Sequence, residues 1–272
     1  MKIAVAGKGG VGKTTLASLL ARAYALEGRA VVAIDADPDA NLASAIGLPA
    51  NRLGEVKPIA TMKKLAEERT GHGGGFGGFF KLNPTVDDLP ESLSVRFEGI
   101  RILALGSVEH GGSGCVCPEH TLLRAFMNHI LVRENDVVIM DMEAGVEHLG
   151  RATADSVDAL IIVVEPGRRS LETARQIERL ALDVGIKRLA YVGSKVTGPK
   201  DLDFLKSRLC ADRMLGSLSM SDAIRRGDME GIPPFDAGPE ILQEVQVIKK
   251  SIERFIRAPL AGNELKDTTS CA

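Results

Sequence analysis

The 272-residue sequence has almost no net charge, because 34 Lys and Arg residues stand against 36 Asp and Glu residues and leave a formal charge of −2. A domain that is attracted electrostatically to nucleic acid or to anionic lipid carries a clear basic excess. The balance therefore predicts no nucleic-acid partner and no membrane partner. At 44% hydrophobic residues, the apolar content is that of an ordinary soluble globular protein.

Long apolar runs and a secretion signal are also missing. No run approaches the roughly 20 apolar residues that a membrane-spanning helix needs. The N-terminus opens directly on an apolar strand pattern, without the basic region, apolar core and cleavage site of a signal peptide. The four cysteines are unevenly placed, which argues against a disulfide framework and for reduced thiols. We therefore expect a cytoplasmic protein.

Short apolar runs recur along the chain and do not alternate with polar residues. Such runs are typical of strands that are buried on both faces of a parallel sheet. They are Ile3–Ala6, Val31–Ile34, Ile100–Leu105, Val137–Met140, Leu160–Val164 and Leu189–Val192. Apolar residues with helical spacing lie between them, for example from Leu16 to Leu26 and from Leu171 to Val184. The alternation predicts an α/β fold, with a mostly parallel sheet and helices on both faces.

A single domain accounts for this pattern, because no internal repeat and no interdomain linker interrupts it. Residues 1–258 are predicted to form the domain. Residues 259–272 are polar and lack periodicity, so we expect a disordered C-terminal tail there.

A phosphate-binding loop follows the first predicted strand. Residues 7–14 read Gly-Lys-Gly-Gly-Val-Gly-Lys-Thr and match G-x-x-x-x-G-K-[ST], with a strand before the motif and a helix after it. Glycines let backbone N–H groups turn towards the phosphates, and the helix N-terminus adds its positive dipole end. Lys13 is expected to reach the β- and γ-phosphates and Thr14 to hold Mg²⁺. The loop residues predicted to bind ATP or ADP are Gly9, Gly10, Val11, Gly12, Lys13, Thr14 and Thr15.

A second lysine in this loop points to a particular family. Lys8-Gly-Gly-Val-Gly-Lys-Thr resembles the deviant Walker A motif of the P-loop ATPases that include MinD, ParA and the nitrogenase iron protein. In that family the first lysine reaches across a dimer interface to the partner's nucleotide, so the resemblance implies a homodimer promoted by ATP. A cation there would act as an arginine finger does, against the charge that develops on the transferred phosphoryl group. Lys8 and Lys13 are then both catalytic.

Two acidic segments match the same family. Asp35-Ala-Asp37-Pro-Asp follows the second predicted strand, where the family carries its first switch. By resemblance, Asp37 orients the attacking water and Asp35 supports the Mg²⁺ shell. The apolar run that ends at Asp141 looks like a Walker B strand leading into the second switch, with Asp141 on a Mg²⁺-bound water. Ser194 and Lys195 stand where many relatives place Asn and a basic residue for contact with adenine.

Cys115 and Cys117 form a Cys-x-Cys pair about one helix before the Walker B-like strand. Two thiols at positions i and i+2 can point to the same side of an extended segment and chelate one ion. A tetrahedral thiolate site needs four ligands, which two copies of the chain would supply at a two-fold interface. Four sulfurs suit Zn²⁺, whereas Ni²⁺ tends towards square-planar ligation. The pattern also leaves open that these are two ordinary loop cysteines.

Taken together, these features point to one group within the family. The Cys-x-Cys pair, the two switches and the sequence Asp-Met-Glu-Ala-Gly-Val-Glu-His-Leu at 141–149 resemble the CooC-type accessory ATPases, over nearly the whole chain to about residue 257. These ATPases help to insert nickel into carbon monoxide dehydrogenase. The resemblance therefore implies Ni²⁺ at a dimer-bridging Cys115/Cys117 site, and carbon monoxide dehydrogenase as the client nickel enzyme.

Two other functions stay open. A MinD- or ParA-like positioning ATPase would act on membrane or DNA, with the last helix, which includes Lys249 and Lys250, as a membrane-surface helix. The apolar stripe of that helix is explained more simply by packing on the sheet. An electron-transfer ATPase would carry an iron–sulfur cluster, but no cysteine occurs at 142–150, where the nitrogenase iron protein has its second cluster ligand. Co-sedimentation with liposomes or DNA and an anaerobic absorption spectrum distinguish these functions.

Overall fold

An eight-stranded sheet forms the centre of the protein in the computed structural model, which describes residues 1–71, 81–106, 118–133, 136–144 and 156–259. The strands are β1 (Lys2–Gly7), β2 (Val31–Asp35), β3 (Val95–Phe97), β4 (Ile100–Ala104), β5 (Val137–Asp141), β6 (Ala159–Val164), β7 (Leu189–Val196) and β8 (Met214–Ser219). The α-helices in these ranges are α1 (Lys13–Leu26), α2 (Leu42–Ile46), α3 (Lys63–Thr70), α4 (Leu89–Ser92), α5 (Pro118–Arg133), α6 (Arg168–Val184), α7 (Pro199–Lys206), α8 (Asp222–Glu230) and α9 (Pro239–Arg257). Short 3-10 helices lie at Ala50–Glu55, Ile59–Thr61, Ala211–Arg213 and Pro234–Asp236.

The strand order is β3-β4-β2-β5-β1-β6-β7-β8, and every neighbouring pair is parallel except β3 with β4. Strands β2, β5 and β6 are buried along their whole length, as their unbroken apolar sequences require. The predicted α/β fold with a mostly parallel sheet is confirmed, and all six predicted strands are present.

The two edge strands were not predicted from the sequence. Strand β3 has only three residues, and a tight turn with positive φ at Glu98 (49°) and Gly99 (75°) joins it to β4. Strand β8 reads Met-Leu-Gly-Ser-Leu-Ser, and its buried apolar side chains, Leu215 and Leu218, are separated by Gly and Ser. Neither sequence forms a continuous apolar run, because an edge strand is not covered on all sides.

Two apolar layers cover the sheet. On one face, the buried side chains of α1, such as Leu16 and Leu20, pack with those of α9 against the strands. On the other face, Phe126 and Ile130 of α5 and Ile177 of α6 lie in a second cluster. Because the neighbouring strands β4, β2, β5, β1, β6, β7 and β8 are parallel, the loops that follow them meet at the carboxyl edge of the sheet.

Helix α9 is anchored to the domain and contributes its apolar stripe to the core. Among its buried residues are Ile241, Val245, Ile248 and Ile252. The side chain of Lys249 is 4% exposed, and its Nζ lies 2.9 Å from Glu27 Oε2, 3.2 Å from Glu253 Oε1 and over the ring of Tyr24. Core packing therefore explains the stripe, and Lys249 is not part of a solvated basic face. No helix within the described ranges is long and apolar enough to cross a membrane.

The boundary between the domain and the predicted tail is only partly covered by the structure. Helix α9 ends at Arg257, and the described chain ends at Pro259. The rest of the predicted tail, 260–272, lies outside the described residues, so the tail stays a prediction.

Candidate functional site

The predicted phosphate loop connects β1 with α1 at the carboxyl edge of the sheet, between the ends of β5 and β6. Gly7 has φ 153°, and a Cβ there would lie 2.6 Å from the backbone oxygen of Val163. Gly12 has φ 100°, and a Cβ there would lie 2.9 Å from Ser194 Oγ. Both positions need glycine, for backbone conformation and for space. Gly12 gives α1 no side-chain cap, so backbone N–H groups at the helix start can bind an anion.

The other predicted nucleotide-binding residues divide between the outside and the inside of this loop. Gly9 and Gly10 are exposed at its tip, whereas Val11 is buried beneath it. Thr15 is half-buried in the first turn of α1. Ser194 is 4% exposed and packs against Gly12, so it supports the inner side of the loop.

Thr14 and Asp141 meet beneath the loop. Thr14 Oγ1 donates a hydrogen bond to Asp141 Oδ2 at 2.6 Å. Asp141 is the last residue of β5 and is fully buried, and its second oxygen, Oδ1, has no hydrogen-bond partner among the described residues. Burial raises the pKa of Asp141 to about 7, since the charged form is poorly solvated there. A bound cation would give the unpartnered oxygen a partner and would offset the free-energy cost of burying the charge.

Asp35 ends β2 and lies beside Asp141 in the strand register. Its Oδ1 accepts a hydrogen bond from the N–H of Asp37 at 3.2 Å, and its Oδ2 accepts one from the N–H of Leu42 at 2.8 Å. Burial raises the pKa of Asp35 to about 6, although these two backbone hydrogen bonds act in the opposite direction. Asp35 therefore fixes the path of the segment that carries Asp37.

Lys13 and Asp37 form an ion pair within the site. The Nζ of Lys13 lies 3.9 Å from Asp37 Oδ2, and the two side chains are 7% and 21% exposed. A lysine this deeply buried needs an anion beside it. Asp37 is that anion, and its other oxygen accepts a hydrogen bond from the N–H of Asp39 at 3.1 Å.

Lys8 and Lys195 are brought together by Glu165, a residue that the sequence analysis missed. Lys8 Nζ lies 3.2 Å from Glu165 Oε1, and Lys195 Nζ lies 3.4 Å from Glu165 Oε2. Lys195 also donates to the backbone oxygen of Gly10 at 2.6 Å and has φ 55°, an uncommon backbone conformation for lysine. One signal could have identified Glu165, because it directly follows an apolar run and such positions lie at the ligand-binding edge of a parallel sheet.

Cys115 and Cys117 lie outside the described residues. The segment that carries them follows Gly106 and ends at Pro118, where α5 begins. The strand before this segment, β4, pairs with β2 so that Ala104 is beside Asp35. Strand β4, which precedes this segment in the sequence, therefore ends at the edge that holds the phosphate loop and Asp141. Within the described ranges, no group of three or more His, Cys, Asp or Glu side chains is arranged to hold a metal ion.

The sequence and the fold both match known proteins. A profile of the CobQ/CobB/MinD/ParA nucleotide binding domain matches residues 2–235. The carbon monoxide dehydrogenase accessory protein CooC of Rhodospirillum rubrum is 53% identical over 239 residues, which cover 88% of this chain and 91% of that protein. An uncharacterized ATP-binding protein of Methanocaldococcus jannaschii is 42% identical over 237 residues, or 86% and 90% of the two chains.

The solved structures include the MinD cell division protein of Aquifex aeolicus, which is similar with a TM-score of 0.63. The similarity covers 95% of this chain and 99% of that one at 20% sequence identity. At this identity the comparison shows a shared fold.

Proposed function

The chain belongs to the CobQ/CobB/MinD/ParA nucleotide-binding family and is an ATPase of that family, and we propose that it works as a homodimer that assists nickel insertion into carbon monoxide dehydrogenase. The client is inferred from the 53% identity with the accessory protein CooC. The observation that carries the catalytic part is the convergence of Lys13 and Thr14, at the start of α1, with Asp141 at the end of β5.

Binding of the ATP phosphates is assigned to the loop between β1 and α1. The backbone N–H groups around Gly9–Thr15 surround the phosphates, and the start of α1 adds its dipole. Lys13 then exchanges one anion for another, because a phosphate oxygen takes the place that Asp37 Oδ2 has at 3.9 Å. Nucleotide binding therefore releases the Asp37 carboxylate from its ion pair with Lys13.

The residues of this site fit Mg²⁺, which proteins usually bind through few side-chain oxygens, several waters and the substrate phosphates. Thr14 and Asp141 are the residues that would hold it, and the unpartnered Oδ1 of Asp141 supports this assignment. When bound, Mg²⁺ neutralises charge on the β- and γ-phosphates. Asp35 supports the arrangement through its hydrogen bonds to the backbone of Asp37 and Leu42.

Hydrolysis is assigned to Asp37 and Lys8. Asp37 Oδ2, once Lys13 has moved to the phosphates, can accept a hydrogen bond from the attacking water and orient it in line with the bond that breaks. Lys8 from a partner protomer stabilises the charge that develops on the transferred phosphoryl group. Ser194 and Lys195 are proposed to support the loop and to contact the nucleotide.

The metal ion is the cargo of the proposed cycle, bound by Cys115 and Cys117 of two protomers. Four thiolates at the two-fold axis accommodate either Ni²⁺ or Zn²⁺, and the likeness to CooC favours nickel. Gly106, the residue before the Cys-x-Cys segment, is two residues beyond Ala104, and Ala104 lies beside Asp35 in the sheet. A change in the first switch on hydrolysis can therefore act on this segment, which would make ATP turnover a release step.

The test is reconstitution with carbon monoxide dehydrogenase purified without nickel. Ni²⁺, Mg·ATP and the wild-type chain should restore carbon monoxide oxidation, and the Cys115→Ser/Cys117→Ser variant should not restore it while it retains ATP hydrolysis. Cys210→Ser, which changes a thiol outside the proposed site, is the matched control. Equal restoration by the double variant would remove these cysteines from the function, and equal restoration by Asp37→Ala would show that hydrolysis is not needed.

A further inference from the structure

One acidic side chain holds two basic ones beside the phosphate loop. We call Lys8, Glu165 and Lys195 the Glu165 cluster. Glu165 follows the last residue of β6, the strand that pairs directly with β1, so its carboxylate lies next to the loop that leaves β1. Its two oxygens lie 3.2 Å and 3.4 Å from the ammonium groups of Lys8 and Lys195.

We propose that Glu165 is a positioning residue that holds Lys8 within its own chain and so opposes dimer formation until ATP is bound. The inference rests on the proposed function, in which Lys8 reaches a nucleotide in the partner protomer. Reaching a phosphate in the partner protomer draws the Lys8 ammonium out of its own chain, and so away from Glu165, from which it lies 3.2 Å in the single chain. The intrachain pair is therefore a latch that has to open in each protomer.

The geometry holds the backbone of Glu165 in place and leaves Lys8 as the movable member of the cluster. The N–H of Glu165 donates to Ser170 Oγ at 3.1 Å, which ties its backbone to the start of α6. Lys195 is held separately by the backbone oxygen of Gly10 at 2.6 Å. The side chain of Lys8 is 37% exposed at the loop surface, so it can turn away from Glu165 without disturbing the core.

A triphosphate opens the latch more readily than a diphosphate does, by charge competition. Lys8 leaves one carboxylate for the phosphates of the partner's nucleotide, and ATP presents more negative charge there than ADP does. Charge-assisted contacts to phosphate oxygens are stronger than an ion pair with a partly exposed carboxylate. Glu165 therefore adds the same free-energy cost to dimer formation with ATP and with ADP. ATP offsets this cost more readily, because it attracts Lys8 more strongly.

The size of the effect follows from the exposure of the pair. A partly exposed ion pair shifts an equilibrium by roughly two- to fivefold. A dimer opens two latches, so Glu165→Gln should tighten the dimer by on the order of tenfold.

The experiment is a double-mutant cycle in an Asp37→Ala background, where bound ATP persists. Dimer dissociation constants are measured by analytical ultracentrifugation at saturating Mg·ATP for the background chain, Glu165→Gln, Lys8→Ala and the combined variant. Glu165→Gln should tighten the dimer about tenfold. In the Lys8→Ala chain the same substitution should not restore the dimer. Glu172→Gln, which removes an exposed carboxylate on α6, is the matched control and should leave the constant unchanged.

The outcomes separate the latch from the function on which it rests. If Lys8→Ala loses the dimer while Glu165→Gln leaves it unchanged or weaker, the latch is overturned and the cross-interface role of Lys8 stands. If Glu165→Gln tightens the dimer equally without Lys8, the carboxylate acts through Lys195 and the latch is again overturned. If Lys8→Ala dimerises like the background chain, both proposals fail.

Discussion

Thr14 and Asp141 are 127 residues apart in the sequence, yet the hydroxyl of Thr14 donates to Asp141 Oδ2 at 2.6 Å. The contact joins the first turn of α1 to the end of β5, so it connects the phosphate loop with the Walker B-like strand. It also makes the two oxygens of Asp141 unequal, since Oδ1 is buried without a hydrogen-bond partner among the described residues. The carboxylate is thus suited to a cation beside Thr14 and costly when charged without one.

The first prediction concerns the pH dependence of stability in the absence of divalent cations. Burial raises the pKa of Asp141 from its ordinary value of 3.8 to about 7. Between about pH 4 and pH 7, the folded chain therefore keeps a proton on Asp141 that the unfolded chain has already lost. The stability from this group is complete below about pH 4 and is lost as the pH rises through about 7. Asp141→Asn, which is neutral and can still accept from Thr14, removes this dependence.

Urea unfolding in EDTA at pH 5 and pH 8 measures the effect. At pH 8, Asp141→Asn should exceed the wild type in free energy of unfolding by roughly 1 to 3 kcal/mol, and the gap should shrink at pH 5. Glu143→Gln, which neutralises an exposed carboxylate two residues away, should show no such gap. Mg·ATP should reverse the order, because it stabilises only the chain that can bind it well. Parallel pH curves for the wild type and Asp141→Asn would contradict the assignment.

Much of the fold could be predicted because strands that are buried on both faces read as unbroken apolar runs. Strands β2, β5 and β6 are of this kind, and each was recognised within one residue of its bounds. Strands β3 and β8 lie at the edges of the sheet that the described residues form, where one side has no neighbouring strand and polar residues are tolerated. Periodicity therefore could not identify them.

The site shows the same division between local and long-range information. Thr14 and Asp141 could be chosen from motifs, because the carboxyl ends of parallel strands share one edge. Glu165 belongs to no motif. Its contact with Lys8 depends on β6 lying beside β1, whereas along the chain β6 follows β5. The order of strands in the sheet is a property of the tertiary structure, and it could not be predicted from the sequence alone.

The second prediction concerns hydrolysis. Asp37→Ala should retain ATP binding but lower turnover by on the order of a hundredfold or more, because the water loses its orienting carboxylate while the phosphate loop stays intact. Phosphate release measures turnover, and a fluorescent ATP analogue measures binding. Asp39→Ala, two residues further along an exposed turn, is the control and should change turnover little. Near-normal turnover in Asp37→Ala would remove this residue from the mechanism.

The third prediction concerns assembly. With Mg·ATP, light scattering on Asp37→Ala should show twice the monomer mass, because ATP persists and Lys8 of each protomer can reach it. Adding Lys8→Ala should reduce the mass to that of a monomer. Lys64→Ala removes an exposed lysine on α3 and should leave the dimer unchanged. A Lys8→Ala chain that pairs and hydrolyses ATP like the wild type would exclude a role across the interface.

The last prediction concerns the metal ion. Cys115 and Cys117 should bind one divalent ion per dimer and not one per monomer, because each protomer offers two thiolates and a tetrahedral site needs four ligands. Binding should strengthen as the pH rises, since each thiol has to lose a proton and free cysteine titrates at about 8.5. A ligand that needs both protomers also stabilises the dimer, by about 2.7 kcal/mol at a hundredfold excess over its dissociation constant.

A titration with Ni²⁺ and with Zn²⁺, with the mass of the complex followed in parallel, measures both stoichiometry and linkage. The wild-type chain should reach half an ion per protomer at the point where the dimer is complete. Cys115→Ser/Cys117→Ser should lose both the binding and the metal-dependent increase in mass, whereas Cys210→Ser should keep them. One ion per monomer, or unchanged binding in the double variant, would overturn the shared site, because two sulfurs from one chain would then suffice or would not be the ligands.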